Sequence, residues 1–398
     1  MENLLYLTHR IPYPPNKGDK IRSYHLLKYL SERYRVYLGT FIDVEEDWQY
    51  TEKVKNLCVD TCLIKLNPKI AKLRCLAGFA TGNPLTLPYY YDKALKKWID
   101  NVFDKESIAK VVVFSAAMTQ YVPKINNVKR FIDFVDIDSD KWKQFAQSKS
   151  WPLSWIYRRE SELLLGYEKQ IAHEFDKSTF VSLKEAELFK EMAPEVSEKV
   201  EYFNNGVDVD FFSPAHQLSN PFTCDNRILV FVGAMDYWAN IDAVEWFAHT
   251  VFPLIRSKID GVQFYIVGSN PTPEVMALDT LQGITVTGKV EDVRPYLKFS
   301  SIAIAPLRIA RGIQNKVLEA MAMEKIVVAS PQAVEGIQAI NKEELYVADG
   351  SQAFADQIIS LLENNSNNVP VAARERILTD YTWPVNLARL DHLLMPNT

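Results

Sequence analysis

The feature that most constrains the fold is an alternation of short apolar runs with helical segments, which passes through the sequence twice. Leu4–Thr8 and Arg35–Phe41 are apolar runs of strand length, and Lys20–Arg33 between them repeats apolar residues at helical spacing. Strands that alternate with helices of this length predict βαβ units, whose strands run parallel in one sheet. We therefore expect an α/β protein built on parallel sheets.

The predicted strands fall into two groups along the 398 residues. The first comprises Leu4–Thr8, Arg35–Phe41, Thr61–Leu66, Lys110–Ser115, Arg130–Val135 and Ser178–Ser182, and the second comprises Ile228–Val232, Gln263–Val267, Ile284–Thr287, Ile302–Ala305 and Ile326–Ala329. The turn cluster Asn204–Asp208 and a polar run from Ser213 to Asn226 separate the groups and resemble an interdomain linker. This pattern predicts two Rossmann-like domains, 1–205 and 206–382, with ligands at the carboxyl ends of the strands and in a cleft between the domains.

Charge and composition exclude several classes of protein. The net charge of −5 is too mild for a general nucleic-acid binder, and no run of 18 apolar residues predicts a transmembrane helix. The four cysteines lie at no zinc-binding spacing, so they read as reduced core residues of a cytoplasmic protein: Cys58, Cys62, Cys75 and Cys224. We therefore expect no nucleic-acid partner and no bound metal.

Basic residues are concentrated in the first half of the chain. Residues 51–150 carry 17 basic and 10 acidic side chains. Such a bias favours anionic acceptors or a peripheral contact of the N-terminal domain with the inner membrane. An ordinary solvated surface explains it as well.

The loop after the first predicted strand has the composition of an anion site. Residues 9–22 include several prolines and one glycine, Gly18, at the point where the next helix begins. A glycine there lets an anion approach the helix N–H groups, and Lys17, Lys20 and Arg22 add positive charge. A single glycine does not make a G-x-G-x-x-G motif, which disfavours a nicotinamide dinucleotide site. The alternative interpretation is a proline-rich surface turn.

A second anion site is indicated by the run P-L-R-I-A-R-G-I-Q-N-K-V-L-E-A-M-A at 306–322. Gly312 permits a tight turn, Asn315 is placed to cap a helix that starts near Lys316, and the helix N–H groups would suit a pyrophosphate. Arg308, Arg311 and Lys316 supply cations beside it. Glu319 lies one helical turn further, where a carboxylate could accept hydrogen bonds from a ribose diol; alternatively it is a surface residue balanced by Lys316.

Acid–base candidates follow the strand Arg130–Val135. Asp136 could orient or deprotonate an acceptor hydroxyl, or balance charge at an oxocarbenium-like transition state. Asp138 or Ser139 could instead cap a helix, and Asp136 with Asp138 could form a D-x-D metal site. His9 and Ser115 are weaker candidates at neighbouring strand ends.

L-E-A-M-A after a glycine turn resembles the donor-binding motif of family-4 retaining glycosyltransferases, which have the GT-B fold of two facing Rossmann-like domains. N-G-V-D at 205–208, F-V-G-A-M-D-Y-W-A-N at 231–240 and T-G-K-V-E-D-V at 287–293 resemble other segments of that family. The runs at 14–22 and 306–322 further resemble sugar transferases associated with bacterial exopolysaccharide and PEP-CTERM (exosortase) systems.

The resemblance implies roles for individual residues and segments. Gly18 would approach the donor phosphates, Gly233 would belong to the donor site, and the backbone at Lys289 and Val290 would hold the base. The sequence from Gly312 to Glu319 would bind the rest of the donor: Gly312, Ile313 and Gln314 would line the sugar, Asn315 would begin the helix, the N–H groups of Val317 and Leu318 would meet the pyrophosphate, and Glu319 would bind ribose hydroxyls. The helix 383–398 would pack back on the N-terminal domain.

Two departures from the family pattern stand out. Arg311 occupies the position of the usual first glutamate, and Met235–Trp238 lacks the usual Arg and Lys after the first strand of the second domain. We hypothesise that Arg308, Arg311 and Lys316 replace these cations.

The sequence thus predicts a cytoplasmic GT-B glycosyltransferase of hexosyltransferase type, which needs neither metal nor cofactor. Its donor would be a nucleotide-diphosphate sugar, and its acceptor a carbohydrate or lipid-linked glycan in bacterial surface or exopolysaccharide synthesis. Two alternatives stay open: a GT-B nucleotide-sugar epimerase, and a non-catalytic nucleotide-sugar-binding protein.

Overall fold

A computed structural model describes residues 1–125, 127–223, 227–310, 312–364 and 369–394. The chain forms two compact units: Met1–Asn204 together with the residues from Leu387 onward, and Asn205–Asn386. The predicted boundary lay one residue later. The last helix (Trp383–Leu394) is divided between the units, because its first turn belongs to the second unit and the remainder to the first.

The first unit contains a seven-stranded parallel sheet. Its strands are β1 (Asn3–Thr8), β2 (Arg35–Ile42), β3 (Asp60–Lys65), β4 (Ile108–Phe114), β5 (Lys129–Val135), β6 (Lys177–Phe180) and β7 (Val200–Tyr202), in the order β3-β2-β1-β4-β5-β6-β7. Its helices are α1 (Gly18–Ser31), α2 (Thr51–Lys55), α3 (Pro68–Thr81), α4 (Thr86–Tyr89), α5 (Lys93–Lys105), α6 (Asp138–Ser148), α7 (Leu153–Glu174) and α8 (Leu183–Met192), and 3₁₀ turns lie at Glu45–Tyr50, Ala116–Tyr121 and Pro194–Lys199.

Burial explains the continuous apolar sequence of β1, which lies in the interior of the sheet. Leu4, Leu5, Tyr6 and Leu7 of β1 are all fully buried, although successive side chains of a strand point to opposite faces of the sheet. A strand covered on both faces needs apolar residues throughout, which is typical of parallel sheets between helices.

The second unit contains a six-stranded parallel sheet. Its strands are β8 (Ile228–Val232), β9 (Gln263–Val267), β10 (Ile284–Gly288), β11 (Ile302–Ala305), β12 (Ile326–Ala329) and β13 (Tyr346–Val347), in the order β10-β9-β8-β11-β12-β13. Its helices are α9 (Trp238–Trp246), α10 (Phe252–Arg256), α11 (Pro273–Ala277), α12 (Arg294–Phe299), α13 (Asn315–Ala322), α14 (Pro331–Val334), α15 (Ser351–Glu363) and α16 (Val369–Asp380), followed by α17 (Trp383–Leu394). A π-helical turn at Phe247–Val251 joins α9 to α10, and a 3₁₀ turn lies at Leu278–Thr280.

The prediction of an interdomain linker at Ser213–Asn226 is wrong for the described residues of that segment. Residues 213–223 lie inside the second unit, where Lys298 Nζ donates to the carbonyl oxygen of Pro214 at 3.0 Å and Phe222 packs against Tyr265. A polar composition concealed these tertiary contacts. Residues 224–226, and with them Cys224, lie outside the described residues; Cys58, Cys62 and Cys75 are free thiols of intermediate burial.

Candidate functional site

The carboxyl ends of β8 and β11 are adjacent, because the two strands pair in parallel. Gly233 follows β8, and Lys316 lies in the first turn of α13, after β11. There Lys316 Nζ donates a hydrogen bond to Asn240 Oδ1 at 2.5 Å and lies 4.2 Å from the centre of the Phe231 ring. Lys316, Asn240, Gly233, Phe231 and Glu319 are called the Lys316 cluster below.

Gly233 lies close to the ends of the Asn240 and Lys316 side chains. A Cβ atom at Gly233 would lie 2.8 Å from Asn240 Nδ2 and 3.2 Å from Lys316 Nζ. Asn240 Nδ2 also donates to the carbonyl oxygen of Ala234 at 2.9 Å. A side chain at residue 233 would therefore push against the ends of the Asn240 and Lys316 side chains.

Burial shifts both titratable groups of the cluster toward neutrality. Burial lowers the pKa of Lys316 to about 7, and the carboxylate of Glu319 only partly opposes this. Burial likewise raises the pKa of Glu319 to about 7, against the charge of Lys316. Each group is held where its charged form is poorly solvated, so an incoming ligand of opposite charge would restore that form.

The N-terminus of α13 requires two corrections. The N–H groups of Val317 and Leu318, predicted to meet a pyrophosphate, donate to the carbonyl oxygen of Gln314 at 3.0 and 3.4 Å. Gln314, not Asn315, is the N-cap residue, and no side chain caps the helix. The Asn315 side chain instead accepts a hydrogen bond from Asn205 Nδ2 at 3.2 Å. The first-turn N–H groups of Asn315 and Lys316 precede the helical ladder and are better placed as donors.

The backbone conformation of the turn before α13 explains why residue 312 is glycine. Gly312 has a φ of 62°, a conformation that strongly favours glycine. Ile313 is buried, and a Cβ added at Gly336 would lie 3.1 Å from Ile313 Cγ1. Arg311, the predicted replacement for the family glutamate, lies outside the described residues.

The remaining predicted donor residues differ in their surroundings. Arg308 is exposed and forms a two-pronged ion pair with Asp242, with Nε donating to Oδ2 at 2.9 Å. Lys289 is exposed directly after β10, and Val290 packs partly against the core. Of the two predicted cations in this region that the structure describes, Lys316 lies at the Gly233 turn, and Arg308 is paired with Asp242 instead.

The predicted anion site of the first unit also needs correction. α1 begins at Gly18, around which an added Cβ would meet nothing within 4 Å. However, Lys20 is buried in an ion pair with Asp47, and Arg22 is fully buried against Asp133, with Nε donating to Oδ2 at 2.7 Å. Both cations stabilise the core of this unit and are withdrawn from the loop surface.

A network at the start of α1 further changes its electrostatics. Arg10 pairs with Asp19 at 2.6 Å and with Asp43 at 2.8 Å. Burial would raise the pKa of Asp19, but His9 and Arg10 hold it below its ordinary value. The carboxylate of Asp19 therefore complements the positive end of α1 that an anion was predicted to use.

Asp136 lies directly after a strained position. Val135 has a φ of 72°, which is unusual for a β-branched residue. Lys141 Nζ lies 2.8 Å from Asp136 Oδ2 and 3.1 Å from Asp138 Oδ1. Burial would lower the pKa of Lys141, but the two carboxylates raise it above its ordinary value. The contact with Lys141 therefore orients the Asp136 side chain.

The alternative helix-cap assignment is wrong. Ile137 is the N-cap residue of α6, without a side-chain cap. Ser139 instead donates through Oγ to the buried Glu168 at 2.5 Å and through its N–H at 3.2 Å. Burial and the charge of Asp138 raise the pKa of Glu168 to about 8, despite these hydrogen bonds. Glu168 thus anchors the loop that carries Asp136.

Neither a metal-binding cluster nor a membrane-spanning helix is present among the residues that the structure describes. No three His, Cys, Asp or Glu side chains are grouped closely enough there to hold a metal ion. Nor does any helix in the described ranges have the length and apolar character required to cross a membrane.

Residues 226–364 match the family described as glycosyl transferases group 1. This match supports glycosyl transfer as the activity. The matched segment contains the whole Lys316 cluster. Among curated proteins, none matches the chain.

Solved structures resemble the chain over almost its entire length. Sucrose-phosphate synthase from Thermosynechococcus elongatus has a TM-score of 0.70 at 16% identity, covering 99% of this chain and 98% of its own. Anabaena HepE in complex with UDP-glucose has a TM-score of 0.66 at 13% identity, and the match covers 99% of both chains. WaaG, a glycosyltransferase involved in lipopolysaccharide biosynthesis, has a TM-score of 0.66 at 13% identity, and the match covers 99% of this chain and 100% of WaaG. The chain has the GT-B fold, with two Rossmann-like domains on parallel sheets.

Sequence reasoning missed Asn240, which orients Lys316. It belongs to the run 231–240 that resembled the family, but its role depends on a contact between residues 76 positions apart. One signal in the sequence could have identified it. Asn240 is the third residue of a helix that follows a glycine turn without cations.

Proposed function

We propose that the protein is a retaining, family-4 glycosyltransferase that moves a sugar from a nucleoside-diphosphate sugar to a hydroxyl of a carbohydrate or lipid-linked acceptor. The observation that carries the proposal is the position of Lys316 Nζ at the Gly233 turn, where the family pattern supplies cations from the turn itself. A cation from α13 thus replaces those missing from Met235–Trp238. The same cluster supplies Glu319 for a ribose diol.

The proposed chemistry divides between the leaving group and the acceptor. When the bond between the sugar C1 and the diphosphate oxygen breaks, negative charge develops on the diphosphate. The ammonium of Lys316 and the N–H groups at the start of α13 would stabilise that charge. A bond forms between the acceptor oxygen and C1, and the acceptor hydroxyl loses its proton, for which Asp136 is the proposed acceptor or orienting group.

Two of the similar structures support our proposal for the base and the biological role. HepE binds UDP-glucose and WaaG acts in lipopolysaccharide biosynthesis, which supports a UDP-sugar donor and a role in bacterial surface or exopolysaccharide synthesis. We further propose that transfer is metal-independent, because the cluster supplies its own cation, and that the protein is cytoplasmic, as its free thiols suggest.

A panel of UDP-, GDP- and ADP-sugars tests the donor site by thermal shift and by product formation, with and without EDTA. We expect stabilisation by one nucleotide class and turnover that EDTA does not abolish. Conversion of donor without acceptor would favour an epimerase, and binding without turnover a non-catalytic protein.

Lys316→Gln and Lys258→Gln form a matched pair of variants, because both remove one ammonium and Lys258 is exposed on the same unit. Loss of a charge-assisted hydrogen bond to the diphosphate should weaken donor affinity by about 10- to 100-fold in the first and leave it unchanged in the second. Equal affinities would contradict the proposed site.

A further inference from the structure

Glu168 of α7 lies behind the turn that carries Asp136. Its side chain is only 1% exposed. Both of its carboxyl oxygens contact Ser139: Oε2 lies 2.5 Å from Oγ, and Oε1 accepts a hydrogen bond from the backbone N–H at 3.2 Å. Ser139 is itself buried, in the first turn of α6. A buried carboxyl group is thus directed at the helix start that follows Asp136.

The turn that these contacts hold has a strained backbone. The φ of 72° at Val135 is one that a β-branched residue keeps only where the surrounding structure enforces it. The carbonyl oxygen of Val135 accepts a hydrogen bond from the N–H of Val181 at 2.6 Å. Beyond Asp136, the N–H of Ile137 donates to Oε2 of Glu185, which is buried in α8, at 3.1 Å. The chain is therefore fixed on both sides of Asp136.

The nearest charged groups disfavour the ionised form of Glu168. Asp138 places a second carboxylate close to it. The ammonium of Lys141 is engaged by Asp136 and Asp138, at 2.8 and 3.1 Å. Burial, and then the charge of Asp138, raise the pKa of Glu168 to about 8. Glu168 therefore carries a proton at neutral pH.

The other elements packed around Glu168 supply no compensating cation. Along α7 its neighbours one turn away are apolar, as at Leu164 and Ala172. The 3₁₀ turn Ala116–Tyr121 contains no Asp, Glu, Lys, Arg or His, and α8 contributes the carboxyl group of Glu185. Lys199, from the 3₁₀ turn before β7, reaches the other end of α7, where its Nζ donates to the carbonyl oxygen of His173 at 2.6 Å.

A protonated carboxyl group suits both contacts with Ser139. Its carbonyl oxygen accepts the hydrogen bond from the N–H, and its O–H can donate to Oγ. An ionised Glu168 would be poorly solvated and would repel the carboxylate of Asp138. Loss of the proton would therefore weaken the hold on the turn.

We propose that Glu168 is a positioning residue for glycosyl transfer: its protonated carboxyl group holds Ser139 and thereby fixes the direction in which Asp136 leaves β5. The inference rests on the proposed function, in which Asp136 receives the proton of the acceptor hydroxyl or orients that hydroxyl. Glu168 is too deeply buried to meet a substrate, so it acts through the backbone between Ser139 and Asp136. A displaced Asp136 lowers kcat and leaves donor affinity unchanged.

Two substitutions of Glu168 in the full chain separate its contacts from its charge. Glu168→Leu removes both contacts with Ser139. Glu168→Gln keeps both, because an amide oxygen accepts from the N–H and an amide N–H donates to Oγ. Release of UDP from UDP-glucose, with water as the acceptor, measures kcat, and calorimetry measures UDP-glucose affinity.

We expect kcat to fall by about 10- to 100-fold in Glu168→Leu at pH 7, with unchanged affinity for UDP-glucose. Glu168→Gln should restore most of that loss. Glu162→Gln, on the exposed side of the same helix, is the control and should match the wild type. Circular dichroism establishes that the variants fold.

A pH series tests the role of the proton. Above a pKa of about 8 the wild type loses the proton of Glu168, whereas the amide of Glu168→Gln has none to lose. The ratio of kcat in Glu168→Gln to kcat in the wild type should therefore rise by about 10-fold between pH 7 and pH 9, since about a tenth of the wild type stays protonated one unit above the pKa. Other titrating groups cancel in this ratio.

Hydrogen–deuterium exchange of residues 135–141 measures the turn in the free protein. We expect faster exchange in Glu168→Leu than in the wild type at pH 7, and wild-type exchange in Glu168→Gln. Unchanged exchange or unchanged kcat in Glu168→Leu would overturn the proposal, as would a ratio of kcat values independent of pH. A wild type that releases no UDP would contradict the proposed function, while exchange would still decide whether Glu168 holds the turn.

Discussion

Lys316 Nζ and Asn240 Oδ1 are joined by a hydrogen bond of 2.5 Å, although the two residues are 76 positions apart. Asn240 is neutral, so it orients the ammonium without neutralising it. The bond therefore leaves Lys316 able to neutralise a diphosphate, while the surrounding burial keeps the pKa of Lys316 near 7 in the free protein.

Donor binding should take up a proton at pH 8. Above a pKa of about 7 most Lys316 side chains are neutral, and a bound diphosphate would favour the charged form. Calorimetry in two buffers of different ionisation enthalpy measures this uptake, which Lys316→Met should abolish. Donor affinity should accordingly fall as the pH rises above about 7. An affinity independent of pH between 7 and 9 would contradict this role.

The free protein should gain stability from Lys316 as the pH rises from about 7 toward 10.5. In that range the unfolded state binds the proton that the folded state has lost, since the folded pKa is the lower one. The gain should be absent in Lys316→Met and present in Lys258→Met. Thermal unfolding across this range measures it.

Arg308→Gln should change the free energy of unfolding by less than about 1 kcal/mol, because the ion pair with Asp242 is solvent-exposed. We expect donor affinity to fall in Arg308→Gln, because the guanidinium that would contact the diphosphate is lost. Donor affinity should rise in Asp242→Asn, because that change releases the guanidinium of Arg308 from its ion pair. Unchanged affinity in both variants would assign Arg308 to the surface alone. Urea unfolding and donor titration separate the two effects.

Arg22→Met should destabilise the first unit by about 3 to 5 kcal/mol, since it leaves the carboxylate of Asp133 buried without its ion-pair partner. Arg33→Met is the comparison, because its contact with Asp391 is exposed and should contribute about 0 to 1 kcal/mol. Urea unfolding followed by the transition of the first unit is the measurement. Similar losses in the two variants would show that the buried pair has no special role.

Glu168→Gln should remove a pH-dependent loss of stability. The folded pKa of Glu168 is about 8, against an ordinary value of 4.5, so the folded state retains a proton that the unfolded state loses between these pH values. The unfolding free energy of the wild type should therefore fall relative to the variant as the pH rises from 4.5 to 8. The exposed Glu162→Gln should show no such difference.

Much of the fold was predictable because the strands are local apolar runs. β8, β9 and β11 have the predicted bounds at Ile228–Val232, Gln263–Val267 and Ile302–Ala305. Helix ends were less predictable: the segment with helical spacing at Lys20–Arg33 corresponds to a helix over Gly18–Ser31. Apolar spacing marks a buried face, whereas a helix start depends on the turn that precedes it.

The sequence by itself determined the parallel α/β architecture, the glycine turns and the residue types beside α13, since these follow from periodicity and local backbone requirements. Only the tertiary structure decided which cations are available. Lys20 and Arg22 look like loop cations but are withdrawn into buried pairs with Asp47 and Asp133, while Lys316 reaches the Gly233 turn. The physical reason is that a side chain's charge is set by the groups packed around it, and those groups come from distant parts of the chain.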